Sequence, residues 1–466
     1  MIKEIPMNNN AKKNGKTNRK TKEKFIYRTV IVTAKLDSNA LNVLTEIEKY
    51  YKEMLVELVK YAIDKRIVNY KQLCREKARE LKDKYRGLPT HYINTVIKDA
   101  ARQASEFLSI KEKGKVYTDY PEIKNVTIWL DDHLWKLEGY TRLRISTHRG
   151  HVELEIEPHK HYWKYRNSKN WELVKECQIK IDRKNKRLLV YLKFRKQRVS
   201  EAYISQNLSF ISVDVNVNNI TTLIGKAHMS NADKNNNIKV QIDGKVYLFE
   251  TDIEEIINGY YHRRKLIQEK YDKLFGICSR EKKKPMKKLK EKQKKKDIIY
   301  KIANIIVREA IKRNAIIVIE NLGKNAGQSM IEDVKDKQLR NMLIQAAFNS
   351  TLKAIEMKAK EHGVPVIKVN PRYTSKLCPI HHAEIEYNKD RYGVCKVGGE
   401  TWHRDVAAVY NIALRYLSKL KSDSMTRFNE NSNSMKLQLD PNFKPNEPII
   451  IKRELWARWK SLVGIL

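Results

Sequence analysis

An α+β chain of several domains is predicted, and three features of the sequence carry that prediction. Apolar residues at helical spacing fill a long stretch after one N-terminal strand. Short runs of alternating apolar and polar residues follow from Ile123 to Arg195. From Phe210 onward, strands and helices alternate. At 466 residues the length suits about three domains.

Taken in order, residues 1–24 are Asn- and Lys-rich and nearly devoid of apolar side chains, so a disordered basic tail is expected. The tail lacks the apolar core of a secretory signal. "FIYRTVIVTAKL" alternates as a strand. "NVLTEIEKYYKEMLVELVKYAID" then places Leu44, Ile47, Tyr51, Leu55 and Leu58 on one helical stripe, and "HYINTVIKDAARQASEFLSIK" reads as a further helix. Residues 38–114 therefore form a helical insert within a β-rich domain made of 25–37 and 115–206. That domain reads as an antiparallel sheet or barrel, from "VTIWL", "TRLRIST", "HVELEIE", "QIKID" and "RLLVYLKF". The third region opens with "FISVDVN", "ITTLIG" and "KVYLFE". It continues through a cationic helical run at 280–296 and a helix with Ile298, Ile302, Ile305 and Ile306 on one stripe. The buried-type strand "AIIVIENL", a helix capped by Gly363, the strand "VPVIKVN" and the helix "DVAAVYNIALRYLSKL" complete it. After residue 421 a loose tail with one amphipathic piece near its end is expected.

Lys and Arg number 94 against 55 Asp and Glu, a net charge of +39 that points to a polyanionic partner, nucleic acid first. No run of roughly 18 apolar residues occurs, so no membrane partner is expected. Five cysteines, an odd and sparse set, suit a reducing compartment, and the location expected is cytoplasmic and nucleoid-associated. Cys74, Cys177 and Cys278 read as ordinary buried thiols. In the β-rich region Arg142, Arg144, Lys160, Lys164 and Arg166 stand among Trp129, Tyr162, Trp163 and Trp171. Rings that stack bases beside cations that meet phosphates would look like this, and so would core and rim residues. Lys282, Lys283, Lys284, Lys287 and Lys288 form a cationic face that is either solvated or tracks a nucleic-acid backbone.

Three acids stand out. Asp214 interrupts an apolar strand, sharing a face with Ser212 and Asn216. Glu320 ends a buried strand. A buried carboxylate demands a partner or a metal. Asp405 opens an apolar helix, where it also reads as a simple cap. Together they suit two-metal phosphodiester chemistry, in which two Mg²⁺ ions about 3.5–4 Å apart are held by hard oxygen ligands. Just before Asp405, Cys378, His381 and Cys395 have the spacing of a structural zinc site. Gly398 stands where a fourth ligand is expected, leaving His403 or His382 to supply it.

The strings "SVDVNVNN", "VIENLGK" and "YTSKLC…C…GGETWHRDVAAVYNIA" resemble the catalytic half of TnpB, the insertion-sequence protein also called the OrfB transposase and related to compact type V CRISPR effectors. The resemblance is specific over roughly residues 207–417 and closest to archaeal members. It implies a wedge domain with a helical recognition insert, then an RNase H-like (RuvC-like) nuclease domain over 207–376 and 403–420 with a zinc-finger-like insert at 377–402. It also implies RNA-guided cleavage of double-stranded DNA next to a short flanking motif, directed by a guide RNA from the same element. Asp214, Glu320 and Asp405 become its metal-binding catalytic triad. Rival readings are a DNA strand-transfer transposase with an acidic triad, a non-cleaving RNA-guided DNA-binding repressor, and a basic RNA-binding protein whose acids are structural. The metal motif of single-strand transposases fits poorly, because the nearest string is His159-Lys160-His161.

Overall fold

The computed structural model describes residues 25–197, 208–230, 237–277, 280–322, 334–336, 340, 348–388, 390–425, 436–445 and 447–458. The expected N-terminal tail (1–24), Cys278, the start of the helix expected before Gly363 and the final residues of the amphipathic piece lie outside these. The chain divides into two compact units, Met1–Arg198 and Val199–Leu466. No helix among the described residues is long and apolar enough to cross a membrane.

In the first unit, β1 (Phe25–Lys35) leads into α1 (Ser38–Asp64), α2 (Tyr70–Lys84) and α3 (Thr90–Lys111). Asp37 caps α1 by accepting from the Ala40 N–H at 2.7 Å. The α1 stripe is buried as the spacing predicts, Leu44, Ile47, Tyr51, Leu55 and Leu58 among it. Only Leu73 and Leu81 are buried on α2, too few to show a helical period in the sequence. The strands β2 (Ile128–Leu130), β3 (Trp135–Glu138), β4 (Arg142–Thr147), β5 (Gly150–Glu157), β6 (Glu172–Asp182) and β7 (Arg187–Gln197) follow, with α4 (Lys160–Arg166) after β5. They form one antiparallel sheet with β1, in the order β2-β6-β7-β1-β5-β4-β3. β1 and β7 pair along eleven residues, Phe25 opposite Gln197 through Lys35 opposite Arg187. Alternate residues Val30, Val32 and Ala34 face Leu188, Val190 and Leu192 in the core. Of the thiols expected to be buried, the structure buries Cys177 but leaves Cys74 half-buried.

The second unit is a mixed sheet between helical layers. Its strands are β8 (Ser209–Val215), β9 (Asn219–Met229), β10 (Asn237–Glu250), β11 (Ile316–Glu320) and β12 (Val366–Val369). The order is β12-β11-β8-β9-β10, antiparallel from β8 to β10 and parallel from β8 through β11 to β12. Between β10 and β11 lie α5 (Ile253–Phe275), α6 (Lys283–Lys288) and α7 (Glu291–Lys312). α8 (Phe348–His362) precedes β12, and α9 (Arg404–Met425) follows an inserted sheet of β13 (Ile385–Tyr387), β14 (Tyr392–Cys395) and β15 (Thr401–His403). Alternation along the central strands sends Phe210, Ile316 and Val318 into a core with Val409, Ile412 and Tyr416 of α9. Ile211, Val213, Ile317 and Ile319 enter another core with Ile298, Ile302 and Ile306 of α7 and Leu352 of α8. Ser212 points to the α9 side and donates to the Val409 carbonyl at 2.7 Å. Asp214, two residues on, faces the same way.

Two expectations are corrected. The stretch after 421 is not wholly loose: β16 (Lys436–Leu439) and β17 (Ile449–Ile451) both pair in parallel with β10, and Leu437, Leu439 and Ile451 are buried. The edge strand β10 offers unpaired backbone groups, and these short apolar runs satisfy them. The cationic run at 280–296 is not one helix. It breaks at Lys290, whose φ of 56° is left-handed. Lys282 donates to Asp272 (2.7 Å) and to the Ile277 carbonyl (2.6 Å), and buried Lys295 pairs with Glu291 at 3.0 Å. Lys283, Lys284, Lys287 and Lys288 remain exposed.

Candidate active site and metal centre

The three acids reach one cleft from three elements. Asp214 sits near the C-terminal end of β8, Glu320 ends the neighbouring β11, and Asp405 lies in the first turn of α9. Parallel pairing of β8 with β11 puts both strand ends on the same edge. All three line a cleft of about 640 Å³, together with Asn216, Asn218, Glu254, Thr374, Ser375, Arg391 and Arg404. Asp214 and Asp405 are buried, 8% and 1% exposed, so neither is a solvated surface charge.

Polar contacts tie the acids together. Asn216 donates to Asp214 at 2.8 Å, and Asn219 donates to Asp405 at 3.2 Å. Asn216 lies in the β8–β9 turn and Asn219 opens β9, and Asn216 also donates to Asn219 at 3.3 Å, so this hairpin bridges two of the acids. Thr374 donates to Glu320 at 2.6 Å. Arg391 approaches Asp405 at 3.2 Å. Burial pushes the Asp214 carboxyl up to about 8, and the charges of Glu320 and Asp405 add to the effect. Asn216 and Arg391 act in the opposite sense without offsetting it. Burial also raises Glu320, opposed by the Thr374 hydrogen bond and the Arg415 charge. The cleft is therefore short of positive charge, and its donors are hard oxygens. That fits Mg²⁺. Among the described residues, the three acids are not a set whose oxygens all lie within 4.8 Å of one another. A pair of ions shared among acids does not need every acid to touch every ion.

Asn219, Thr374 and Arg391 are functional candidates that the sequence reading passes over. Asn219 carries the clearest signal, as a buried amide in the Asn-rich string that follows Asp214. Thr374 stands in the string "YTSKLC" but with no sign there of its acidic partner, and Arg391 carries no signal, because only the fold aims them.

Below the cleft, the inserted three-stranded sheet gathers a second cluster. Cys378, His381 and Cys395 come together as expected, joined by Glu400; one donor atom from each lies within 4.8 Å of all the others. Burial pushes the Cys378 thiol up to about 11, opposed by the backbone N–H groups of His381 and Ile380. The two histidines expected to complete the site lie elsewhere. His403 turns Nδ1 toward the Asp405 N–H at 3.3 Å and packs edge-on against Tyr392, because it belongs to β15 and leads into α9. His382 donates from Nε2 to the Leu437 carbonyl at 2.9 Å. The other such group among the described residues is His91, Asp131 and His133, where His91 Nδ1 and Asp131 already share a direct 2.6 Å hydrogen bond.

In the first unit the basic and aromatic side chains are mostly engaged. Arg142 pairs with Glu153 at 2.5 Å, and Arg144 stands opposite the same residue in the β4–β5 register. Arg166 donates to the Gly139 carbonyl at 3.0 Å and covers the Tyr140 ring. Lys164 lies 5.3 Å from the Tyr165 ring centroid. Tyr162 is fully buried, and Trp163 and Trp171 pack against the core, so these rings are structural. Trp129 differs, with Lys98, Arg102 and Lys193 each within 6.0 Å of its ring centroid. His159 caps α4 by accepting from the His161 N–H at 3.2 Å.

Comparison with known proteins agrees with this picture. Residues 348–412, which hold the cysteine cluster, Arg391 and Asp405, match the family model "Cas12f1-like, TNB domain". Residues 47–146 match "Uncharacterized protein MJ0013 family". The TnpB-like protein MJ0751 of Methanocaldococcus jannaschii is 31% identical over 211 residues, which is 43% of this chain and 67% of that protein. The CRISPR-associated endodeoxyribonuclease Cas12f1 of Syntrophomonas palmitatica is 37% identical over 98 residues, 20% of this chain and 18% of that one. A cryo-EM structure of a Cas12f1–sgRNA–target DNA complex shares the fold at a TM-score of 0.50 and 14% identity, covering 80% of this chain and 81% of that one. With aligned sequence across two thirds of a TnpB-like protein and a buried acid cluster at the end of its central strands, the chain belongs to the TnpB family.

Proposed function

We propose that this protein is an RNA-guided, metal-dependent DNA endonuclease whose active site is the Asp214–Glu320–Asp405 cleft. The observation that carries the reading is the placement of three acids, distant in sequence, around one cleft where burial, with the charges of Glu320 and Asp405 added, raises Asp214 to about 8. Uncompensated burial of this kind costs stability unless a cation is bound in use. The mixed strand order supports an RNase H-like reading of the second unit.

Magnesium ions held by Asp214, Glu320 and Asp405 would supply Lewis-acid polarisation of a phosphodiester and activation of water. The chain's own residues orient the ligands and the backbone. Asn216 and Asn219 hold Asp214 and Asp405 by one oxygen each. Thr374 does the same for Glu320. Arg391 stands at the lip of the cleft, 38% exposed, with donors to spare for a phosphate oxygen. The exposed lysines of α6 supply affinity that is insensitive to sequence.

A guide RNA from the same element and a double-stranded DNA target are the partners proposed. Sequence choice then comes from base pairing and a short flanking motif. A cytoplasmic, nucleoid-associated location fits such partners. A structural zinc at Cys378, His381 and Cys395 would pin the insert that leads directly into Asp405.

The test is cleavage of a plasmid library by the purified chain, with its co-purified RNA sequenced and used as guide. Mg²⁺-dependent cutting at guide-matched sites is expected, lost in Asp214→Ala with RNA binding retained. Cutting that ignores the guide, or survives Asp214→Ala, would overturn the proposal.

A further inference from the structure

The inserted sheet holds Cys378, His381, Cys395 and Glu400 in a geometry that a hydrogen-bonded pair does not require. His381 Nδ1 lies 3.8 Å from Cys378 Sγ and 3.7 Å from Cys395 Sγ. Glu400 Oε2 lies 3.9 Å from Cys378 Sγ, and its Oε1 lies 3.2 Å from His381 Nδ1. A tetrahedral zinc with ordinary bond lengths separates sulfur from nitrogen or oxygen by about 3.5 Å, and nitrogen from oxygen by about 3.3 Å. Four donors, from the 378–381 turn and the 395–400 turn, thus lie within 4.8 Å of one another, with spacings close to those of a tetrahedral site.

The backbone around the cluster is shaped to the same end. The Gly398 N–H donates to Cys395 Sγ at 3.5 Å, and the Gly399 N–H to the Cys395 carbonyl at 3.0 Å, folding residues 395–399 back over the sulfur. A Cβ at Gly398 would lie 2.1 Å from Glu400 Oε1 and 2.1 Å from His381 Cε1, closer than real Cβ atoms ever come. Position 398 therefore points straight into the cluster, and the space a side chain would need there is filled by the Glu400 carboxylate. Two buried thiols near a carboxylate and an imidazole are an odd choice for a merely structural turn, since burial disfavours the charged forms.

We propose that Glu400 is the fourth protein ligand of a structural zinc completed by Cys378, His381 and Cys395, and that Gly398 is kept free of a side chain so that this carboxylate can enter. The assignment rests on the zinc reading of the insert. It makes a Cys₂HisGlu centre with two thiolates. Positions 398 and 400 are alternative entrances to one coordination place, so a donor put in at 398 should replace the one removed at 400.

The experiment measures zinc per chain in the full-length protein after dialysis against a chelator, and the absorption of its cobalt-substituted form. The wild type is expected to hold one zinc and to show tetrahedral cobalt bands with charge transfer from two sulfurs. Glu400→Ala should lose zinc by more than the roughly 10–100-fold affinity drop typical of an outer partner. Gly398→Cys combined with Glu400→Ala should recover zinc and raise sulfur-to-cobalt absorption by about one half, as three thiolates replace two. That recovery also shows that the single variant lost a ligand and not its fold. His403→Ala should keep its zinc. If Glu400→Ala binds zinc like the wild type, Glu400 is not the ligand although the zinc reading stands. If the wild type binds neither zinc nor cobalt, the zinc reading itself falls.

Discussion

Replacing Asp214 by Asn swaps a carboxylate for an amide of the same shape, and its effect on stability should depend on pH and on magnesium. In the metal-free fold the Asp214 carboxyl is raised from 3.8 to about 8, first by burial and then by Glu320 and Asp405. A carboxyl raised in this way is protonated in the fold but ionised in the unfolded chain between those two values. Its contribution to stability is fully present below about pH 4 and is lost as pH rises toward 8. At about 1.4 kcal/mol per pH unit, the loss has an upper limit of about 6 kcal/mol. Asp214→Asn removes that term. Metal-free, its thermal midpoint should match the wild type near pH 4 and exceed it increasingly toward pH 8. At about 2–4 °C per kcal/mol, the gap at pH 8 should be on the order of 10 °C. Millimolar Mg²⁺ should close the gap by stabilising the wild type at pH 8 and leave Asp214→Asn little changed. The assay is a thermal melt across pH with and without Mg²⁺, followed by intrinsic fluorescence. A gap that does not vary with pH, or equal stabilisation of both proteins by Mg²⁺, would refute the charge-crowded cleft.

Other consequences can be measured separately. Arg391→Ala removes the cation facing Asp405 and should slow DNA cleavage on the order of 100-fold, with zinc content unchanged. Gly244→Ala puts a Cβ 2.6 Å from the Ile224 carbonyl oxygen and 2.8 Å from Gly225 Cα, both backbone atoms. It should cost about 1–3 kcal/mol, read as a lower thermal midpoint, with a normal cut pattern in whatever protein folds. Changing Lys283, Lys284, Lys287 and Lys288 together to Ala should flatten the dependence of DNA affinity on salt by up to about 4 units of log–log slope, leaving site choice intact.

Much of the second unit was readable because its strands and helices are strongly apolar in period. Ile298, Ile302 and Ile306 declare a helix face, and an Asp inside "FISVDVN" declares itself through the cost of burying it. The zinc insert was half readable. Cys378, His381 and Cys395 share a recognisable spacing, whereas Glu400, two residues past Gly398, looks like any solvated acid on a turn. The short strands "KLQL" and "III" carry too little pattern to be read as strands, and it is the open edge of β10 that makes them so.

The order of residues by itself determined the strongly periodic strands and helices, the excess of positive charge and the three acids that could not be buried alone, since all of these follow from local periodicity and the cost of desolvating charge. Only the tertiary structure decided that Asn219 reaches Asp405, that Arg391 faces the same acid and that Glu400 stands beside His381, because contacts between residues distant in sequence are set by strand register and helix packing, which no local pattern encodes.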